Sequence, residues 1–157
     1  MPKFGKRSRS RLDECHAFLQ EIMEEAIKEY DFSVLCGHRG EKEQNEAYDK
    51  GNSKLRFPQS KHNQSPSMAV DVAPYPIDWN DLDRFKKLGE IVKRIAEEKG
   101  IDISWGGDWK SFKDYPHFEL RSTRRTRKEP EEVEYLPDGP SDEDINDIFD
   151  DIEEELL

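Results

Sequence analysis

Met68-Ala69-Val70-Asp71-Val72-Ala73 is the stretch on which the fold reading turns. Side chains alternate across an extended strand, so Met68, Val70 and Val72 point one way, toward a core. Ala69, Asp71 and Ala73 point the other way. An acid between two alanines sits on a face with room beside it. That arrangement suits a ligand for something small and buried better than a solvated surface acid. Pro74 and Pro76 end the strand.

Working outward, the neighbouring segments alternate in character. Leu12, Cys15, Leu19, Ile22 and Ala26 recur every three or four positions, which predicts a helix from about Ser10 to Tyr30. A short strand follows over Asp31–Cys36, then a loop, Gly37-His38-Arg39-Gly40. A second helix is predicted over Glu41–Lys50 and is stopped by Gly51. Residues 52–67 have no periodicity and read as a long loop, a feature often functional in compact domains. Beyond the central strand, Leu82, Phe85, Leu88, Ile91, Val92 and Ile95 mark a third helix reaching about Lys99, capped by Asn80 or Asp78. Ile101–Trp105 and His117–Leu120 are further strands, with Gly106-Gly107 a turn after the first of them. Strands and helices mix without a regular βαβ repeat. The fold class is therefore α+β, a small mixed antiparallel sheet flanked by helices.

The 157 residues fit one domain with an appendage. The chain is 39% charged with a net charge of −11, unevenly placed. Residues 121–157 hold 14 acids against 5 basic residues, and from Glu129 onward there is no Lys or Arg. A domain is expected over residues 1–124 and an acidic tail over 125–157. Ile145, Ile148, Phe149, Ile152 and Leu156 stand at helical spacing, which leaves open a short amphipathic helix at 141–157 or a solvated tail. No partner is assigned to the tail. The nearly neutral body carries no sustained basic face, so nucleic-acid binding is not expected. No segment approaches the ~20 apolar residues of a membrane span. The basic cluster Lys3, Lys6, Arg7, Arg9 and Arg11 leads into Asp13 and Glu14 rather than an apolar run, so synthesis in the cytoplasm without a signal peptide is expected. Cys15 and Cys36 are lone thiols without metal-type spacing.

Of four histidines, His16 falls on a predicted helix beside acids and reads as a surface residue. His38 has no obvious partner. His62 is followed by Asp71, and His117 by three residues follows Asp114. Two imidazoles and a carboxylate make a three-ligand set that leaves a fourth position on zinc open, as in catalytic sites. Asp114, near such a metal without binding it, could take a proton from water as general base. Arg39, just past a strand end, is a fixed positive charge available to an oxyanion. Two histidines and two acids also occur by chance in chains of this length, and spacing alone leaves both readings open.

Ser60-Lys61-His62, Ser67-Met68-Ala69-Val70-Asp71, and Trp105-Gly106-Gly107-Asp108-Trp109 leading to Asp114-Tyr115-Pro116-His117-Phe118-Glu119 resemble the LAS superfamily of zinc peptidases. That group contains lysostaphin-type enzymes, D-Ala-D-Ala carboxypeptidases and L-alanyl-D-glutamate peptidases. The Gly-Gly-Asp-Trp segment and the short domain most resemble the L-alanyl-D-glutamate peptidases of phage endolysins and bacilli. The resemblance runs from about Phe4 to Leu120. It implies a D-Ala-D-Ala carboxypeptidase-like fold, Zn2+ held by His62, Asp71 and His117, Asp114 as catalytic base and Arg39 as electrostatic stabiliser. Ser60 and Trp109 would line the substrate site, and Glu119 would orient His117. The His62–Asp71 interval is two residues longer than is usual in the family and contains Pro66, an extension a loop tolerates provided its ends meet.

The function implied is hydrolysis of peptidoglycan stem peptides at the L-alanyl–D-glutamate bond, on the cell wall, as a phage lysin. The alternatives are a D-Ala-D-Ala carboxypeptidase and an inactive wall-binding or phage structural protein on the same scaffold.

Overall fold

The computed structural model describes residues 2–126. The elements in chain order are α1 (Lys6–Asp13), α2 (Ala17–Glu29), β1 (Phe32–Cys36), α3 (Glu41–Asp49), β2 (Ala69–Pro74), α4 (Leu82–Glu98), β3 (Ile103–Trp105) and β4 (His117–Leu120). Short 3-10 turns occupy Lys61–Asn63 and Gly106–Asp108. The strands form one antiparallel sheet in the order β1-β2-β4-β3. This is the α+β architecture expected. The acidic tail from residue 127, with the helix considered at 141–157, lies outside the described residues.

β2 is central and behaves as its alternation requires. Val70 and Val72 are fully buried in the core with Leu19, Ile22, Met23, Leu88, Val92 and Phe118, beneath α2 and α4. Ala69 and Ala73 are equally buried outside that core, and between them Asp71 is half-buried, its side chain 18% exposed. The alanines seal the strand's other face with little volume, which leaves the space Asp71 needs.

The helix expected over residues 10–30 is two helices. The link between them is pinned to the loop ahead of β2: His16 N–H donates to Ser67 O at 2.9 Å and Ser67 N–H to Glu14 O at 2.9 Å. His16 is no surface bystander. It caps α2, its Nδ1 accepting from Phe18 N–H at 3.0 Å, which satisfies a donor that the helix itself leaves free. α1 also begins earlier than the periodicity suggested, at Lys6. It lies against the outer edge of β1, where Ser8 Oγ accepts from Val34 N–H and Arg11 donates to Val34 O, each at 3.0 Å. Side chains thereby occupy ladder positions that an open edge would present to another strand.

The cap of α4 is Asp81, which accepts from Arg84 N–H at 3.4 Å. Asp78 instead accepts from Asn80 N–H in the preceding turn. Inside α4, Gly89 faces Trp105: a Cβ there would stand 2.6 Å from the indole ring, so only glycine lets β3 approach this closely.

Candidate active site

The sheet register assembles the site. Asp71 on β2 is the cross-strand partner of His117 on β4, and directly paired residues project from the same face. Glu119 lies two residues on from His117 and shares that face. On the other side of β2, Asp71 is opposite Cys36, because β1 carries an irregularity between Val34 and Cys36. The extra residue turns Cys36 toward Asp71.

His62 arrives from the long loop. Ser60 caps the turn that carries it, with Oγ accepting from His62 N–H at 3.2 Å and Ser60 N–H donating to Asn63 Oδ1 at 3.0 Å. The loop between His62 and Asp71 still lets the ring reach the strand. His62 is only 2% exposed. Its Nδ1 donates to Gly37 O at 2.7 Å, and its Nε2 lies 3.2 Å from Asp71 Oδ1. His117 is held in the mirror sense: Nε2 donates to Glu119 Oε1 at 2.8 Å, and Nδ1 lies 3.0 Å from the same Asp71 Oδ1. Lys61 fixes Glu119 in turn, with Nζ 3.0 Å from Oε2.

This geometry tests the fit of a metal. Each ring has one nitrogen anchored to an oxygen acceptor, so in the neutral tautomer its other nitrogen presents a lone pair toward Asp71 Oδ1. Ligand atoms in a tetrahedral zinc sphere stand about 3.3–3.5 Å apart. The two nitrogen–oxygen separations are close to that. The donor set of two imidazoles and a carboxylate fits zinc. Asp71, Asp114 and His117 have donor atoms within 4.8 Å of one another, as do Cys36, His62 and Asp71; the two rings fall in separate groups joined by Asp71, so they would have to close toward each other to share one ion.

The electrostatics favour a cation. Burial opposes the charge of each imidazole, yet Asp71 outweighs it: His62 is raised to about 10 and His117 to about 9, the latter with help from Glu119. Burial likewise disfavours the Asp71 carboxylate, but the two rings hold it well below the usual carboxylate range. In the metal-free protein, protons on the rings supply the positive charge the site demands. Asp114 moves the other way. Burial, then the charge of Asp71, raises its pKa. Its backbone is fixed by Asp114 N–H to Gly106 O at 3.0 Å and by His117 N–H to Asp114 O at 3.1 Å.

Arg39 donates to Asp71 Oδ2 at 3.5 Å and to Gln44 Oε1 at 3.1 Å. Trp109 stands with its ring centroid 5.1 Å from that of His117 and donates from Nε1 to Ser104 Oγ at 2.9 Å. Ser60, Trp109, Arg39 and Asp114 all line the same cleft of about 300 Å³ with the three expected ligands. The residues that the sequence reading assigned to the site, His62, Asp71, His117, Asp114, Arg39, Ser60 and Trp109, thus line one cleft.

Two participants were missed. Gln44 is fully buried and bonds Arg39, Asn63, Ser53 and Leu55 O, tying α3 to both site loops. The signal was present, since α3 has no apolar stripe and must be held by something polar. Cys36 places Sγ 3.9 Å from His62 Nδ1. Nothing in sequence spacing announces that contact, because it depends on the irregularity in β1.

Comparison with known proteins gives the chain a family. Residues 1–126 match the family model described as phage L-alanyl-D-glutamate peptidase. An L-alanyl-D-glutamate peptidase of Escherichia phage T5 is 34% identical over 124 residues, spanning 76% of this chain and 89% of that protein. The peptidoglycan L-alanyl-D-glutamate endopeptidase CwlK of Bacillus subtilis is 33% identical over 114 residues, 60% of this chain and 64% of CwlK. Among solved structures, the L-Ala D-Glu endopeptidase ChiX of Serratia marcescens superposes with a TM-score of 0.66 at 33% identity, covering 75% of this chain and 90% of ChiX. A match over this extent, to proteins that agree on one chemistry, means that the chain belongs to the phage L-alanyl-D-glutamate peptidase family.

Proposed function

We propose that this chain is a zinc-dependent peptidase that cleaves the L-alanyl–D-glutamate bond of peptidoglycan stem peptides, with His62, Asp71 and His117 as the metal ligands. One observation carries the ligand assignment: Asp71 Oδ1 faces His62 Nε2 at 3.2 Å and His117 Nδ1 at 3.0 Å while the far nitrogen of each ring is anchored elsewhere. Zinc held there supplies Lewis acidity, polarising the scissile carbonyl and acidifying water.

The chain's own groups do the rest. Asp114 takes the proton of the attacking water at its carboxylate, and its raised pKa makes it a stronger base than an ordinary aspartate. It then hands that proton to the amine nitrogen as the peptide bond breaks. Arg39 presents a positive charge for the oxyanion, its guanidinium steadied by Gln44 and Asp71. Glu119 keeps His117 in one tautomer, and the Ser60 cap keeps His62 in place. Trp109 forms a wall beside His117.

The family's phage description and the phage T5 relative support a lytic role at the cell wall. Among the described residues no helix is long and apolar enough to cross a membrane. The test is digestion of purified peptidoglycan with metal-loaded protein, read by mass spectrometry. Fragments with a new L-alanine carboxylate and a new D-glutamate amine are expected. Free D-alanine would make the enzyme a carboxypeptidase instead, and an undigested wall would leave an inactive wall-binding scaffold.

A further inference from the structure

The substrate of this reaction brings a charge into a cleft that already holds three carboxylates, Asp71, Asp114 and Glu119. A glutamyl residue has two side- or main-chain carboxyl groups, and the peptide chain can leave by only one of them. The other remains beside the scissile amide as a free carboxylate, a charge that a nearby cation would select. The cleft lining offers three cationic side chains that could meet it, Arg39, Lys54 and Lys61.

Two of the three are committed. Arg39 lies against Asp71 at 3.5 Å and Lys61 against Glu119 at 3.0 Å. Lys54 has no carboxylate partner among the described residues. Its ammonium sits 5.0 Å from the centroid of the Phe112 ring, in a contact that spans the cleft from the 51–59 loop to the segment leading into Asp114. A cation–π contact at an exposed site is weak, about 0.5–1 kcal/mol, so this ammonium can be recruited by a carboxylate at small cost. Its carrier loop is not slack. Buried Gln44 donates to Ser53 Oγ at 2.9 Å and to Leu55 O at 2.6 Å, the residues on either side of Lys54.

We propose that Lys54 is a specificity-determining residue that binds the free carboxylate of the D-glutamyl residue on the leaving side of the scissile bond. The assignment rests on the peptidase reading given above. It predicts that the enzyme discriminates between stem peptides whose spare glutamyl carboxyl is free and those in which it is amidated, because an amide keeps the shape and loses the charge.

The experiment measures kcat/KM for both synthetic peptides with the zinc-loaded full chain and with Lys54→Gln, Lys54→Arg and, as a control on exposed α3 away from the cleft, Lys42→Gln. The unaltered enzyme should favour the carboxylate about two- to fivefold, the range of an exposed ion pair. Lys54→Gln should bring the ratio to about one, chiefly through KM, while Lys54→Arg and Lys42→Gln keep the preference. A ratio that survives in Lys54→Gln, or one near unity in the unaltered enzyme, overturns the assignment while leaving the peptidase reading intact. Failure of the unaltered enzyme to cut either peptide removes that reading and the Lys54 assignment with it.

Discussion

Asp71 is the residue on which the chemistry converges, since both imidazoles and the Arg39 guanidinium turn toward its two oxygens. Its role and that of Asp114 separate by substitution. His117→Ala should abolish both zinc binding and hydrolysis. Asp114→Ala should keep about one zinc per chain yet lose activity by about 10²–10⁴-fold, the usual worth of a positioned base. Equal zinc loss in the two variants would make Asp114 a ligand. The protonation of the site gives a second prediction. His62 and His117 have folded pKa values of about 10 and 9, above the 6.5 of a free imidazole. Their ionic contribution to folding is thus complete below about pH 6.5 and disappears as pH rises through 9 and 10 in the metal-free protein. Zinc requires both rings neutral, so its binding at pH 7 should release about two protons. Calorimetry in buffers of different ionisation enthalpy measures that number, and a value near zero would mean the rings are not the ligands. These residues were legible in the sequence because two histidines and an acid stood in a familiar setting. Cys36 was not, because one irregular residue in β1 decides which face it takes.

At the scale of elements, the site depends on how loops are fastened to the sheet. β2 and β4 were legible from alternation, and their pairing places Asp71 against His117. The split of the first predicted helix was not, because Leu12, Cys15 and Leu19 keep helical spacing across the break. Tertiary hydrogen bonds from Ser67 to the linker outweigh that local preference. The segment carrying Asp114 is fastened through Gly106, whose carbonyl accepts from Asp114 N–H at 3.0 Å. A Cβ on Gly106 would stand 2.1 Å from Asp114 O, backbone against backbone, and one of them must move. Gly106→Ala should therefore lower kcat about 100-fold, the cost of misplacing a catalytic group by roughly an ångström. Zinc content should stay unchanged, because the metal-facing nitrogen of His117 is set by β4 and Glu119 rather than by this turn. Full activity in Gly106→Ala, checked by initial rates on a stem peptide, would show that Asp114 does not need this anchor.

The described residues form a four-stranded sheet backed by α2 and α4, with its open face given over to loops that bring His62, Arg39 and Asp114 to β2 and β4. Its fold class was readable from alternation and helical periodicity, which report which faces are buried. The closure of the 52–67 loop was not readable, since it depends on polar bonds made by Gln44 and on the Ser60 cap, and neither produces a period. The central claim is that side chains from three distant parts of the chain share one metal ion. The most direct test is anomalous diffraction from crystals at the zinc absorption edge. A single strong peak bonded to His62 Nε2, Asp71 Oδ1 and His117 Nδ1 at about 2.0–2.2 Å, the range for zinc, is expected. No peak in the cleft, or one coordinated by Cys36 in place of His117, would contradict it.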